Sequence, residues 1–490
     1  MLFNSYEFMF LFLPVSLAIF FLLNRMRLTT GANAWLLVVS LFFYSWWNPR
    51  YLPLILCSIL FNYTIGVLLS DSDNLRKQIV SKKTVFMFGV TANILFFGYF
   101  KYMDFFVGNV NSLLGVNLTL PAILLPLGIS FFTITQIAFL VDAYGGFVVE
   151  RNLLNYSLFV TFFPHLLAGP ILHHKDMMPQ FNSVRNKVWN YRNLTCGLFL
   201  FIVGLFKKVI IADQLSPTVK AGFDLSKSLN FFESWVTSFS YTFQLYFDFS
   251  GYTDMALGVG LMFNIILPRN FNSPYKAANI IDFWKRWHIT LSTFITSYLY
   301  TPILRSFENV TYRKSLLAIV VAMLLCGFWH GAGWTYIIWG GMQGVALVVN
   351  HLWRKRKLKL PCWLGWFITI NFFNLSLVFF RAKNWGDVLK LLKGMLGLSG
   401  FFPAGMTTSL HLRDVFNSRF IKALLAGIDG RNETLFMPLL CLYLVLVHRN
   451  SNELMESIKP SWKILSFMIV ILFYTLLNMG KVSDFLYFQF

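Results

Sequence analysis

The sequence predicts an all-α protein that crosses a membrane many times. Hydrophobic residues make up 57% of the 490 residues and charged residues only 13%, whereas soluble globular proteins carry about 25% charged residues. Apolar stretches recur along nearly the whole chain, and many reach the roughly 17 to 25 residues that a helix needs to cross the hydrocarbon core. We therefore expect one continuous transmembrane domain over residues 1–490, with about 11 to 13 transmembrane helices and re-entrant segments.

The distribution of charge supports a membrane protein and argues against a nucleic-acid-binding domain. Lys and Arg outnumber Asp and Glu by 41 to 21, but they occur in short runs between apolar stretches. Such runs are typical of cytoplasmic loops. The first apolar stretch has no Lys or Arg before it and is followed by Arg25 and Arg27, the reverse of a secretory signal. This pattern predicts a multi-pass plasma membrane protein with both termini outside.

The first half of the chain contains seven predicted spans and two segments of different character. The spans cover residues 8–23, 34–47, 51–69, 84–107, 122–141, 195–212 and 231–249. Residues 156–172 contain Pro164 and Pro170 between two charged stretches, which predicts a re-entrant segment. The Gly-rich apolar stretch at residues 251–267 shows no pattern that indicates whether it crosses the membrane.

The second half begins with a polar segment and continues with short spans. Residues 278–300 mix charged and aromatic side chains after a predicted N-cap at Asn279, so we expect a helix at the cytoplasmic surface or beside a cavity. The next stretch, residues 316–328, would measure only about 20 Å as a helix, which places the turn at 327–333 within the bilayer. Further spans are predicted at residues 335–350, 363–380, 435–447 and 464–479, with an outer loop at 381–433 and an outer tail at 480–490.

Two histidines are the principal catalytic candidates. His330 stands in the sequence GFWHGAG, among small residues, and His288 stands in FWKRWH on the predicted polar helix. Ionisable side chains within a membrane are costly and therefore mark functional sites. A histidine can accept a proton from a hydroxyl and return it to a thiolate leaving group. A packing or interfacial role remains open for His288 from spacing alone.

Neighbouring polar and aromatic residues are candidates for binding substrate. They are Trp284, Arg286, Trp287, Trp329 and Asp248. For Asp248 the sequence favours a structural pair with Lys or Arg, because an isolated buried carboxylate is costly. We predict no metal site, since His173, His174 and Asp176 lack the ligand spacing of known zinc motifs.

Five long motifs lie within a motif core at about 122–350. They are LPLGISFFTITQIAFLVDAY (125–144), FFPHLLAGPI (162–171), YFDFSGYTDMALG (246–258), NFNSPYKAANIIDFWKRWHITLS (270–292) and GFWHGAGWTYIIWG (327–340). Together they resemble the membrane-bound O-acyltransferases, in the branch of the alginate O-acetyltransferase membrane subunit and the teichoic acid D-alanylation membrane protein. The resemblance implies helices around a central funnel, a thioester donor from the cytoplasm and an acceptor on the other face. It also implies that His330 is the essential histidine and His288 the second motif histidine. Thr296 and Ser297 depart from the Arg-Asp pair that is usual in this branch.

The function that the resemblance implies is transfer of an acyl group, most simply acetyl, toward an extracytoplasmic glycan. Acetyl-CoA or another acyl thioester would be a co-substrate, and no cofactor is expected. A periplasmic SGNH-like acetyltransferase is the expected protein partner, with membrane lipids as surroundings, in a bacterial inner membrane. The sequence leaves alginate, peptidoglycan, cellulose, lipopolysaccharide and teichoic acid open as acceptors. A transporter or glycan-export channel, with histidines along a polar path, is the alternative from another class.

The chain ends in FLYFQF, which contains Tyr487. One interpretation is an aromatic belt at the membrane interface. The other follows from the resemblance, because a similar C-terminal signature carries a tyrosine that is thought to hold the acyl group transiently. A phenol has a pKa near 10 and needs a base to act as a nucleophile. Tyr487 is therefore a catalytic candidate in combination with His330.

Overall fold

A computed structural model describes residues 1–70, 81–120, 124–148, 150–401, 436–459, 461–480 and 485–486. These residues form helices and connecting turns, with no β-strand among them. Clustering of contacts divides the chain into two compact units. Of the described residues, those within 1–202 and 252–269 form unit 1, and those within 203–251 and 270–486 form unit 2.

The helices of the first half are mostly long and apolar. They are α1 (Leu13–Arg25, after a π-helical turn at Phe8–Phe12), α2 (Thr29–Ser45), α3 (Leu52–Ser70), α4 (Lys82–Leu114), α5 (Ile129–Tyr144), α6 (Leu153–Thr161), α7 (Phe163–Leu166), α8 (His174–Asn182), α9 (Tyr191–Phe206), α10 (Asp213–Lys220) and α11 (Phe231–Met262). A π-helical segment, Lys207–Ala212, joins α9 to α10.

The helices of the second half include the segments that carry both candidate histidines. They are α12 (Ile280–Trp284), α13 (Ile289–Phe294), α14 (Thr301–Arg305), α15 (Tyr312–His330), α16 (Trp334–Lys355), α17 (Cys362–Arg381), α18 (Trp385–Met395), α19 (Phe436–Val447), α20 (Ser451–Ser457) and α21 (Trp462–Leu477).

Six helical stretches among the described residues are long and apolar enough to cross a membrane. They are Phe8–Arg25, Pro49–Ser70, Lys82–Leu114, Tyr191–Leu225, Tyr312–His330 and Cys362–Arg381. Three shorter apolar helices, Ile129–Tyr144, Phe436–Val447 and Trp462–Leu477, accompany them. These features confirm the predicted all-α, multi-pass membrane class, while the central funnel and the larger number of spans stay predictions.

Polar side chains join apolar helices within each unit. In unit 1, Asn62 on α3 and Asn93 on α4 exchange amide hydrogen bonds of 3.1 and 2.7 Å. In unit 2, Asn374 on α17 accepts hydrogen bonds from Ser238 (3.0 Å) and Thr242 (2.7 Å) on α11. Lipid offers no hydrogen-bonding partner, so such pairs fix which helix faces meet.

Two sequence predictions about helix length are wrong. The segment at residues 278–300 is interrupted, because α12 ends at Trp284 and α13 begins at Ile289, although Asn279 does cap α12 by accepting the Asp282 N–H at 3.0 Å. Helix α15 extends over Tyr312–His330, which is about 28 Å. It is long enough to cross the hydrocarbon, so the argument that placed its end within the bilayer fails. The prediction counted only uncharged residues and left out the basic first turn.

Candidate active site

His330 lies at the C-terminal end of α15 in a pocket of aromatic rings. Only 6% of its surface is exposed. The imidazole centroid lies 4.9 Å from the Trp329 ring, 5.2 Å from Trp339 and 5.2 Å from Phe380. The Trp339 and Phe380 rings meet it edge to face, a preferred arrangement of aromatic pairs. These contacts hold the imidazole in one orientation within a largely apolar environment.

Glycines allow the two helices around His330 to approach each other. A Cβ at Gly327 on α15 would lie 2.9 Å from Gly340 Cα on α16, and a Cβ at Gly340 would lie 2.4 Å from the Met323 carbonyl oxygen. A Cβ at Gly331 would lie 2.3 Å from the Tyr336 ring. Close packing beside the histidine therefore requires glycine at positions 327 and 331 of the GFWHGAG sequence.

His288 lies in the break between α12 and α13, with a left-handed backbone at φ +43°. Its Nδ1 is 3.3 Å from Asn270 Oδ1, and this oxygen also accepts the Thr290 hydroxyl at 2.6 Å. The Phe249 ring lies 4.8 Å away, edge to face. Burial lowers the pKa of His288 to about 3, so the imidazole is neutral at physiological pH. The residues that surround it differ from those around His330.

Trp284 connects the polar segment to the His330 pocket. Its indole N–H donates a hydrogen bond to Gln343 Oε1 at 3.3 Å, and the Gln343 amide donates to Ser376 Oγ at 2.8 Å. The Trp284 ring lies 6.1 Å from Trp339, which in turn packs on His330. All three hydrogen-bonding groups are buried or nearly so, and the indole is therefore fixed by a polar chain.

A cavity of about 440 Å³ adjoins Trp284. It is lined by residues of α12, α13, α15 and α16, by Lys285 after α12 and by the π-helical segment Ile295–Tyr300 that follows α13; they include Thr296, Ser297, Met323 and His351. Thr296 and Ser297 contribute neutral hydroxyl-bearing side chains to this wall. The cavity is large enough for part of a small-molecule substrate, and two tryptophans, Trp284 and Trp339, lie between it and His330.

Two other candidates make mainly structural contacts. Arg286 forms an ion pair of 2.9 Å with Asp282, and both side chains are about one-third exposed. The Trp287 ring is buried between Phe283 and Phe373, at 5.7 and 5.1 Å. A role of these two residues in substrate binding stays a prediction.

Asp248 forms the expected pair with a basic residue. Its Oδ1 lies 2.7 Å from the ammonium of Lys208, and only 2% of either side chain is exposed. Its Oδ2 accepts the backbone N–H of Leu486 at 3.0 Å. Tyr487, the catalytic candidate that follows, lies outside the described residues.

Several residues of this region were missed by the sequence analysis. Lys208 and Gln343 each interrupt an apolar stretch, a signal that marks buried polar sites. Ser376 carries a similar but weaker signal. Trp339 and Phe380 lie in helices with many aromatic residues, so the sequence does not distinguish them from their neighbours. Only the fold shows that they pack against His330.

Comparison with known proteins identifies the family. The family model for MBOAT, the membrane-bound O-acyltransferase family, matches residues 41–384. The chain is 43% identical to the peptidoglycan O-acetyltransferase of Helicobacter pylori, over 94% of this chain and 92% of that protein. It is 39% identical to the probable alginate O-acetylase AlgI of Pseudomonas aeruginosa, over 78% and 72%.

A more distant relative extends the range of acyl groups. The chain is 29% identical to the teichoic acid D-alanyltransferase of Streptococcus thermophilus, over 52% of this chain and 68% of that protein. The match at residues 41–384 includes both histidine motifs, the cavity and the Gly327–Gly340 contact. The chain is therefore an acyltransferase and belongs to the membrane-bound O-acyltransferase family.

Proposed function

We propose that this protein transfers acetyl groups from cytoplasmic acetyl-CoA toward an extracytoplasmic glycan, with His330 as the general base. The observation that carries the proposal is the buried His330, which is linked through Trp339 and Trp284 to a cavity of about 440 Å³. The cavity contains Lys285 and His351, on segments that the charge pattern assigns to the cytoplasmic side. The pantetheine arm of the donor would enter there.

The reaction requires one base at the junction of donor and acceptor. His330 takes a proton from an acceptor hydroxyl, and the hydroxyl oxygen attacks the thioester carbonyl carbon. The carbon–sulfur bond breaks, and the imidazolium returns the proton to the departing thiolate, so an ester and free CoA result. The buried position of His330 among aromatic rings suits this step, because a site with little water protects the thioester from hydrolysis.

His288 has a different role in this proposal. Its neutral imidazole, held by Asn270 and Phe249, cannot supply charge, so we assign it to positioning the donor or acceptor through the adjoining α12 and α13. Trp284 and Trp329 are the proposed contacts with substrate, since Trp284 lines the cavity and Trp329 lies against His330.

We propose that the acetyl group reaches the glycan acceptor in two steps. Tyr487 first takes the acetyl group with His330 as the base, and a periplasmic SGNH-like acetyltransferase then transfers it to the glycan. The names of the relatives support peptidoglycan and alginate as acceptors. Peptidoglycan is the first to test, because the relative that carries it in its name aligns over more of both chains.

The test uses purified protein in lipid nanodiscs with acetyl-CoA radiolabelled in the acetyl group. We expect release of free CoA thiol and labelled product from the wild type and none from His330→Ala. His448→Ala, at an exposed histidine outside the site, is the matched control and should behave as the wild type. Equal turnover by His330→Ala would overturn the assignment of the base.

A second measurement addresses the carrier and the acceptor. In cells that lack the periplasmic partner, mass spectrometry should find an acetylated C-terminal peptide, and Tyr487→Phe should remove it. Alkali-released acetate from purified peptidoglycan should fall to background in both the Tyr487→Phe and the His330→Ala strain. Full glycan acetylation by Tyr487→Phe would restore the aromatic-belt interpretation.

A further inference from the structure

A buried ionic cluster in unit 2 contacts the C-terminal end of the chain. The ammonium of Lys208 lies 2.8 Å from Asp213 Oδ1 and 2.7 Å from Asp248 Oδ1. Lys208 is 2% exposed and Asp213 is 28% exposed. Lys208 occupies a π-helical segment, a local distortion that occurs frequently at functional sites. We call Lys208, Asp213 and Asp248 the tail anchor.

The tail anchor holds two described residues of the tail. The second oxygen of Asp248 accepts the Leu486 N–H at 3.0 Å. The Lys208 ammonium lies 4.8 Å from the centroid of the Phe485 ring, within the range of a cation–π interaction. Phe485 is fully buried. One carboxylate thus binds the lysine through one oxygen and the tail backbone through the other.

The chemistry of the cluster fits a site that binds the C-terminal tail better than a cluster that only holds helices together. Asp213 and Asp248 both bind the Lys208 ammonium, and the second oxygen of Asp248 accepts the backbone N–H of Leu486. Buried ion pairs seldom add stability compared with apolar residues of the same volume, whereas a register-fixing role is their best attested use. A contact through backbone N–H and one ring fixes where along the chain the tail is held.

We propose that the tail anchor is a docking site for the C-terminal segment of the same chain, with the Phe485 ring and the Leu486 backbone N–H as its ligand. Lys208 and Asp248 are then positioning residues, which hold the chain at the two residues that directly precede Tyr487. The docking itself stands independently, while its consequence for acyl transfer rests on the proposed function.

The decisive variant acts on the tail and leaves the buried cluster intact. Leu486→Pro removes the N–H that Asp248 accepts, whereas Leu486→Ala removes the side chain and keeps the N–H, so the two form a matched pair. Loss of a hydrogen bond to a charged group is expected to lower acetyl transfer to the glycan by about ten-fold or more in Leu486→Pro. Leu486→Ala should transfer normally, and both should bind acetyl-CoA as the wild type does.

A structural readout separates docking from catalysis. Hydrogen exchange of the C-terminal peptide, measured by mass spectrometry in nanodiscs, should show a slowly exchanging amide at Leu486 that exchanges about ten-fold faster in Phe485→Ala. An amide that exchanges as fast as in a free peptide, or normal transfer by Leu486→Pro, would overturn the proposal. If the wild type transfers no acetyl group at all, the proposed function fails, and the exchange rates still decide whether the tail is docked.

Discussion

The glycine contact between α15 and α16 gives the most quantitative prediction. In Gly340→Ala, the new Cβ would lie 2.4 Å from the Met323 carbonyl oxygen and 2.9 Å from Gly327 Cα. Both contacts are with backbone, so no side chain can rotate away. Ordinary contacts of a Cβ begin near 3.4 Å. The helices must therefore separate by about 1 Å.

The magnitude follows from two opposing terms. Overpacking of this kind costs about 1 to 3 kcal/mol, and two backbone clashes place it near the upper end. Alanine improves helix propensity over glycine by about 1 kcal/mol. We expect a net destabilisation of about 2 kcal/mol. Activity should fall more, because displacement by about 1 Å at a catalytic group costs about 100-fold in rate, and Gly340 adjoins Trp339, which packs on His330.

The neighbouring glycine provides the control. A Cβ at Gly341 would meet only the Leu324 side-chain end, at 3.3 Å, which can adjust. Gly341→Ala should keep wild-type acetyl-CoA turnover and the same heat resistance in size-exclusion chromatography after heating. Gly340→Ala should lose both. Equal behaviour of the two variants, in either direction, would refute the argument that close helix packing positions His330.

Three further predictions test the site and the orientation. His288→Ala should reduce turnover severely without abolishing it, and unchanged turnover would remove this residue from the site. Because burial lowers the pKa of His288 to about 3, the imidazole stays neutral above about pH 4. His288→Asn should therefore leave the shape of the pH–rate profile between pH 5 and 8 unchanged. A shift of the acidic limb of that profile would show that His288 titrates in this range. Cysteines introduced at residues 108–121 should react with an impermeant maleimide from outside, and a cysteine at position 355 only after permeabilisation. The opposite labelling would reverse the donor side.

Trp284→Phe tests the polar chain beside the cavity. The substitution keeps an aromatic ring and removes the indole N–H that donates to Gln343. We expect a higher KM for acetyl-CoA with the protein still stably folded, because the cavity wall loses its fixed orientation. Gln343→Leu should give the same change, since it removes the acceptor of the same bond. A wild-type KM in both variants would exclude Trp284 from donor binding.

The sequence by itself determined the class of the protein and selected the residues whose catalytic roles are proposed. The membrane class follows from composition and apolar length, which are properties of the chain that any fold of it must satisfy. His330 was selected as a catalytic candidate because burying an ionisable residue among small and apolar neighbours is energetically costly, which marks a candidate functional site. The same reasoning predicted that Asp248 pairs with a basic residue, which Lys208 confirms.

The tertiary structure decided which residues distant from each other in the chain come into contact. The left-handed backbone at His288 is stabilised by Asn270, eighteen residues earlier, and no local pattern of residues 278–300 predicts that break. The contact between Asp248 and Leu486 spans 238 positions. Helix packing decides which residue pairs with a buried charge. The local sequence shows that a buried charged side chain requires a partner, but it does not show where along the chain that partner lies.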